Sequence, residues 1–188
     1  MSESLSSAIP PWPGTYALVL SAGVRSSVDI GKLGTLPLLP GFYLYIGSAF
    51  GFGGLKARLA HHGKMATRPH WHIDYLRPKT SLESIWYSCD AKKREHLWAE
   101  VASEMPGATV LLSRFGASDC SCVAHLFYRS TRMNNENSIN ESNESKRGLN
   151  RRDALIGLMI GGLFTTTTKR TIKKMEETSG ARAQIPGG

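Results

Sequence analysis

The chain has 188 residues, a net charge of +8 and 41% hydrophobic residues, which is enough for one domain with a real core, with or without a tail. The positive charge favours anionic partners, nucleic acid before an acidic membrane. Three cysteines, Cys89 and the closely spaced Cys120 and Cys122, make no disulfide framework and point to a reducing compartment, which excludes the small disulfide-stapled secreted class.

The opening M-S-E-S-L-S-S-A-I-P-P lacks the basic and apolar regions of a signal peptide. Residues 1–13 are polar and then Pro-rich, and are expected to form a flexible lead-in. Thr15 to Ser21 reads as a strand with Tyr16, Leu18 and Leu20 on one face, bounded by Gly14 and by Ala22-Gly23. Val28 to Leu39, punctuated by Gly31, Gly34 and Pro37, predicts a short hairpin or β-arm.

The stretch from Gly41 to His62 is the most organised. Phe42, Leu44 and Ile46 alternate with Tyr43 and Tyr45, the period of a strand that Gly47 should end. Gly51, Gly53 and Gly54 predict a loop, and Leu55 to His62 a helix with Leu55 and Leu59 on its apolar face and Lys56, Arg58 and His62 turned elsewhere. A strand, a Gly-rich loop and a helix N-terminus with basic side chains can hold a phosphate. An ordinary β-turn-α connection with surface charges has the same pattern.

Between Leu55 and Lys79 there are six Lys or Arg and a single acid, Asp74, together with His61, His62, His70 and His72. Lys56, Lys64, Arg68, His70 and His72 are therefore the candidate nucleic-acid contacts. Ile73 to Leu76 predicts a short helix that Pro78 ends, and Ser81 to Ser88 another strand. Ala91 to Met105 predicts a helix capped by Asp90 or Ser88, with Leu97, Trp98, Val101, Ala102 and Met105 buried and Glu95 in its first turn. Ala124 to Tyr128 reads as a last strand. From residue 131 the composition becomes polar and then basic, a linker and low-complexity tail over 131–188. Its apolar run, Ala154 to Phe164, is shorter than the roughly 20 residues that span a bilayer.

With Gly14-Thr15-Tyr16 on the first strand and Tyr45-Ile46-Gly47 on the central one, residues 14–130 resemble the GIY-YIG nuclease superfamily. The stretches G-K-L-G-T, Y-I-G-S-A, H-W-H-I-D-Y-L, F-G-A-S-D-C-S-C and H-L-F-Y resemble a little-characterised branch of it, also found beside endonuclease III-type DNA glycosylases. The resemblance implies an α/β (α+β) fold, a small central three-stranded sheet flanked by helices, here with an added β-hairpin arm. It places Arg58 at the catalytic arginine and Glu95 at the metal-binding glutamate. It also implies a DNA substrate, a role in DNA repair with a repair-protein partner, and a cytoplasmic or nucleoid-associated location.

Hydrolysing a phosphodiester requires an activated water, countercharge for the transition state and help for the leaving oxygen. Mg²⁺ or Mn²⁺ on Glu95 suits the last task, since Mg²⁺ accepts one carboxylate with waters and phosphate oxygens. Arg58 suits the transition-state oxygens through its permanently charged fork. Tyr16 and Tyr45 are candidates to take or relay the water's proton, and His62, one turn after Arg58, to share that role. The rival readings are a non-catalytic module that binds nucleic acid and a zinc-stabilised domain whose former nuclease site serves another ligand.

Cys120-x-Cys122-x-x-His125, preceded by Asp119, is a candidate Zn²⁺ set, with a fourth ligand from His70, His72 or Asp119. A reduced cysteine pair packed beneath a loop, with His125 hydrogen-bonded in the core, is the alternative.

Overall fold

A computed structural model describes residues 9–130 and, as backbone, residues 181–184. Its strands are β1 (Gly14–Ala22), β2 (Ser26–Asp29), β3 (Thr35–Leu38), β4 (Gly41–Ala49), β5 (Ser81–Ser88), β6 (Leu126–Ser130) and β7 (Ala181–Gln184); its helices are α1 (Gly54–His62), α2 (His72–Leu76) and α3 (Glu95–Ser103). The fold is α+β. One five-stranded sheet has the order β6-β4-β1-β5-β7 with every neighbour antiparallel, and β2 and β3 form a separate hairpin.

The sheet is larger than the three strands expected from sequence, because β6 pairs with β4 and β7 pairs with β5. The rest of the expected 131–188 tail, with its apolar run, lies outside the described residues. No helix among the described residues is long and apolar enough to cross a membrane.

β1 is central because both of its faces are apolar. Tyr16, Leu18 and Leu20 enter one core with Tyr43 and Tyr45 of β4, Ile85 and Tyr87 of β5, Leu55 and Leu59 of α1, and Ile73 and Leu76 of α2. Ala17 and Val19 enter the other with Leu44 and Ile46 of β4 and Trp98, Ala99 and Ala102 of α3. The period-two pattern of β1 and β4 thus separates two cores, one on each side of the sheet. The hairpin turns Val28, Leu36 and Leu38 into the first core.

Several local expectations change. Gly47 does not end β4, which continues through Ser48 and Ala49. Gly47 faces Tyr16 across the ladder, and a methyl group there would lie 2.4 Å from the Tyr16 hydroxyl. The strand needs a glycine for clearance, not for a turn. α3 begins at Glu95 instead of Ala91, because Asp90 accepts the Lys92 N–H and pairs with Arg94, closing a turn ahead of the helix. Leu97, expected in the buried stripe, is exposed, and Ala99 takes its place. The last strand covers Leu126–Ser130 instead of 124–128.

Residues 9–13 differ from a loose lead-in. Ile9 is buried in the first core, and the carbonyls of Pro10 and Trp12 accept the N–H groups of Lys56 and Leu55. This segment caps α1. Burying Leu55 and Leu59 contributes about 1.5–3 kcal/mol each, so α1 is held by its apolar face and by this strap together.

Candidate functional site

β1 and β4 carry the first two candidate residues. In their register Tyr16 lies opposite Gly47 and Leu18 opposite Tyr45, so the two tyrosines are diagonal neighbours on one face. Their ring centroids are 6.4 Å apart. α1 crosses that face and adds His62. Contrary to expectation, His62 lies on the buried side of the helix with Leu55 and Leu59, one turn-spacing further along. Its Nε2 is 2.7 Å from the Tyr16 hydroxyl, and its ring is 6.3 Å from that of Tyr45.

Burial foremost, then the neighbouring Tyr45, raises Tyr16 well above the ordinary phenol value. Burial and then the charge of Glu95 raise Tyr45 as well. Burial lowers His62 to about 3. At neutral pH the phenols are therefore protonated and the imidazole neutral. Tyr16 donates and His62 Nε2 accepts, which leaves the ring proton on Nδ1. That nitrogen lies 3.8 Å from Asp74 Oδ1 and has no hydrogen-bond partner.

Asp74, on α2, was not among the residues singled out from sequence, yet it anchors this side of the site. Its Oδ2 accepts the N–H groups of His70 and Trp71, and its Oδ1 lies 3.0 Å from His61 Nε2. Burial alone would raise the carboxyl, but the Trp71 and His70 N–H groups and His61 outweigh it and hold Asp74 below its usual value. His61, His62 and Asp74 gather three donor atoms that could hold a metal ion, but hydrogen bonds already engage both oxygens of Asp74. Trp71, beside Asp74, lies 4.0 Å under the Arg58 guanidinium carbon, a cation–π contact that orients the arginine. Arg58 is near enough to the buried phenols to oppose the rise in both.

Glu95 opens α3 and is buried. Its Oε2 accepts from the Ser48 hydroxyl at 2.7 Å and lies 3.0 Å from Lys93 Nζ, while Oε1 lies 3.2 Å from His125 Nδ1. Burial pushes its carboxyl up, but His125, Ser48 and Lys93 together hold it down at about 2. The carboxylate is charged, and its field reaches Tyr16 and Tyr45. Both carboxylate oxygens have close neighbours, Ser48 and Lys93 at Oε2 and His125 at Oε1. Tyr16, Tyr45 and His62 are thus in contact on one face of the sheet, with Arg58 nearby on α1, and Glu95 acts on the phenols through its charge from α3 on the other side.

The Gly-rich loop does not act as a phosphate cradle. The first N–H groups of α1 are all engaged: Gly54 donates to Gly51, Leu55 to Trp12, Lys56 to Pro10 and Ala57 to Gly53. Gly53 and Gly54 are both left-handed, with φ of 78° and 55°. A methyl group on Gly54 would lie 2.3 Å from the Trp12 carbonyl. These glycines let residues 10–12 close over the helix N-terminus.

Lys56, Lys64, Arg68 and His70 are exposed on α1 and the loop after it. His72 is not free in the same way. Its Nδ1 accepts the Gly116 N–H at 3.0 Å and its half-buried ring packs on Phe115, so it holds the loop after α3.

A second cluster lies on the far side of Glu95. His96 Nδ1 is 3.3 Å from Cys122 Sγ, and Cys120 Sγ is 3.5 Å from His125 Nε2. The four donor atoms lie within 4.8 Å of one another, an arrangement that could hold a metal ion. The fourth member is His96, not His70, His72 or Asp119.

A family model described as "Domain of unknown function DUF123" matches residues 15–147. No curated protein and no solved structure matches the chain.

Proposed function

This chain belongs to the DUF123 family, whose function is unknown, and we propose that it is a GIY-YIG-type, metal-dependent endonuclease that hydrolyses phosphodiester bonds in DNA with water as the nucleophile. The observation that carries this reading is the packing of Tyr16, Tyr45 and His62, with Arg58 on the same helix as His62, on one face of the sheet, the Tyr16 hydroxyl being hydrogen-bonded to His62, while the charge of Glu95 acts on both phenols from α3 on the other side.

Tyr16 is too weak an acid to act as a phenolate at neutral pH. It works as a relay: its oxygen accepts a proton from water as its own proton passes to His62 Nε2. His62 is neutral, so its Nε2 lone pair is available for that proton in the transition state, and burial makes it a weak base that gives the proton up again readily. The imidazolium so formed faces the Asp74 carboxylate, which offsets part of the cost of a buried charge. Tyr45 walls the site beside Tyr16 and offers a second hydroxyl to the water. Arg58, held over the Trp71 ring, presents its guanidinium to the phosphoryl oxygens as they gain charge. Glu95 would hold Mg²⁺ or Mn²⁺, which when bound polarises the phosphate and stabilises the leaving oxygen. Ser48 and His125 fix the carboxylate for that task.

A second reading, a non-catalytic nucleic-acid-binding module, is favoured by the exposure of Lys56, Lys64, Arg68 and His70 along one continuous stretch. The two separate in one experiment. Purified protein is incubated with branched, single-stranded and duplex DNA, and with RNA, in Mg²⁺ or Mn²⁺. Metal-dependent DNA cleavage supports the endonuclease. Binding that weakens steeply with salt, without cleavage of any substrate, supports the module.

A further inference from the structure

We propose that His96, Cys120, Cys122 and His125 form a zinc site with two nitrogen and two sulfur ligands. Zinc bound tetrahedrally to thiolate and imidazole spaces its ligand atoms about 3.3–3.8 Å apart, given metal–ligand distances of about 2.0–2.3 Å. The two close contacts here, His96 Nδ1 to Cys122 Sγ at 3.3 Å and His125 Nε2 to Cys120 Sγ at 3.5 Å, already have that spacing. The donor set itself selects the ion: two thiolates with two imidazoles suit zinc and are foreign to Mg²⁺ and Mn²⁺, which prefer oxygen.

Two further features support a built site. His125 is buried, and the nitrogen not facing the sulfur lies 3.2 Å from Glu95 Oε1. A metal-bound histidine typically has such a carboxylate partner on its other nitrogen, which sets the tautomer and the ring orientation. The loop is also shaped in advance. The Arg114 guanidinium donates to the carbonyls of Ser118, Cys120 and Cys122, while His125 N–H donates to Phe115 and the His125 carbonyl accepts from Ile46 of β4. Arg114 itself has a φ of 66°, a conformation a non-glycine residue keeps only when its surroundings enforce it. Both cysteines are free thiols.

His96 is exposed on α3 and the cysteines are partly exposed, so the ion has a route in. Zinc there would tie the first turn of α3 to the loop over residues 114–125. The site needs neither Tyr16 nor Arg58, and its test reads metal, not cleavage, so it stands or falls apart from the proposed nuclease.

The test uses the full chain, expressed without added zinc and purified without chelator. Elemental analysis is expected to find close to one zinc per chain. Cobalt in its place is expected to give the intense visible bands of a tetrahedral ion and a thiolate charge-transfer band. Cys120→Ser is expected to abolish that band. His96→Ala, a surface change that leaves the core intact, is expected to weaken zinc binding at least about tenfold against a competing chelator. Zinc below about a tenth of an equivalent in a folded protein, or His96→Ala binding zinc as tightly as the wild type, overturns the proposal. So does a Cys120–Cys122 disulfide in protein handled without air.

Discussion

Gly47 lies directly opposite Tyr16 across the β1–β4 ladder, and the Tyr16 phenol occupies the space a side chain at 47 would need. The missing side chain at 47 leaves room for the phenol to pass over β4 and reach His62. Gly47→Ala should push the ring away or strain the strand, costing about 1–3 kcal/mol as overpacking does. Denaturant unfolding measures the stability loss. A fully stable variant would mean that Tyr16 has room to move and that its position is not fixed by the ladder.

His62 makes stability depend on pH. Its folded value is lowered to about 3 by burial, against about 6.5 unfolded. Between those values the unfolded chain binds the proton and the folded chain does not, so stability falls as pH drops through 6.5 towards 3. At pH 4.5 the loss attributable to this group is about 2–3 kcal/mol. Denaturation of the wild type and His62→Gln at pH 7 and 4.5 checks this: the variant should lose that much less between the two.

The alternating apolar residues of β1 and β4 made both strands and their facing legible from sequence, and the tyrosines' convergence follows from that alternation once the register is known. Register itself was not legible, because Gly47 reads as a strand end unless one knows that Tyr16 lies across it. His62 was misplaced for a related reason. A histidine at the end of a basic run reads as solvated, whereas here a phenol satisfies its Nε2 in the core. The glycines after β4 look like a phosphate loop, and only the closure of residues 10–12 shows what they admit. Asp74 and His96 were missed because their roles come from partners on other elements: Asp74 from His61 on α1, His96 from the loop after α3.

Lys93 competes for Glu95. Its ammonium sits 3.0 Å from Oε2 and is partly exposed, so it supplies a positive charge where a divalent ion would bind. Lys93→Ala should lower the Mg²⁺ concentration needed for half-maximal cleavage severalfold, with little change at saturating metal. A metal titration of cleavage rate reads this directly. A higher metal requirement in the variant would mean that Lys93 assists the ion or the substrate.

Removing the Tyr16 hydroxyl separates the relay from simple packing. Tyr16→Phe keeps the ring but leaves His62 Nε2 unpaired in the core, which should cost about 1–3 kcal/mol of stability. The cleavage rate should fall about 10²–10⁴-fold, the usual contribution of a positioned acid–base group. Loss of stability without loss of rate would make the Tyr16–His62 pair purely structural.

The central claim is tested most directly by cleavage of DNA in Mg²⁺ by wild type, Arg58→Ala and Glu95→Ala, with each variant first shown to be folded by circular dichroism. Wild-type cleavage that falls at least about 10²-fold in each variant is the predicted result, since each removes a charge aimed at the transition state or its metal. Folded variants that cut as fast as the wild type, or a wild type that cuts no DNA substrate, would contradict the account.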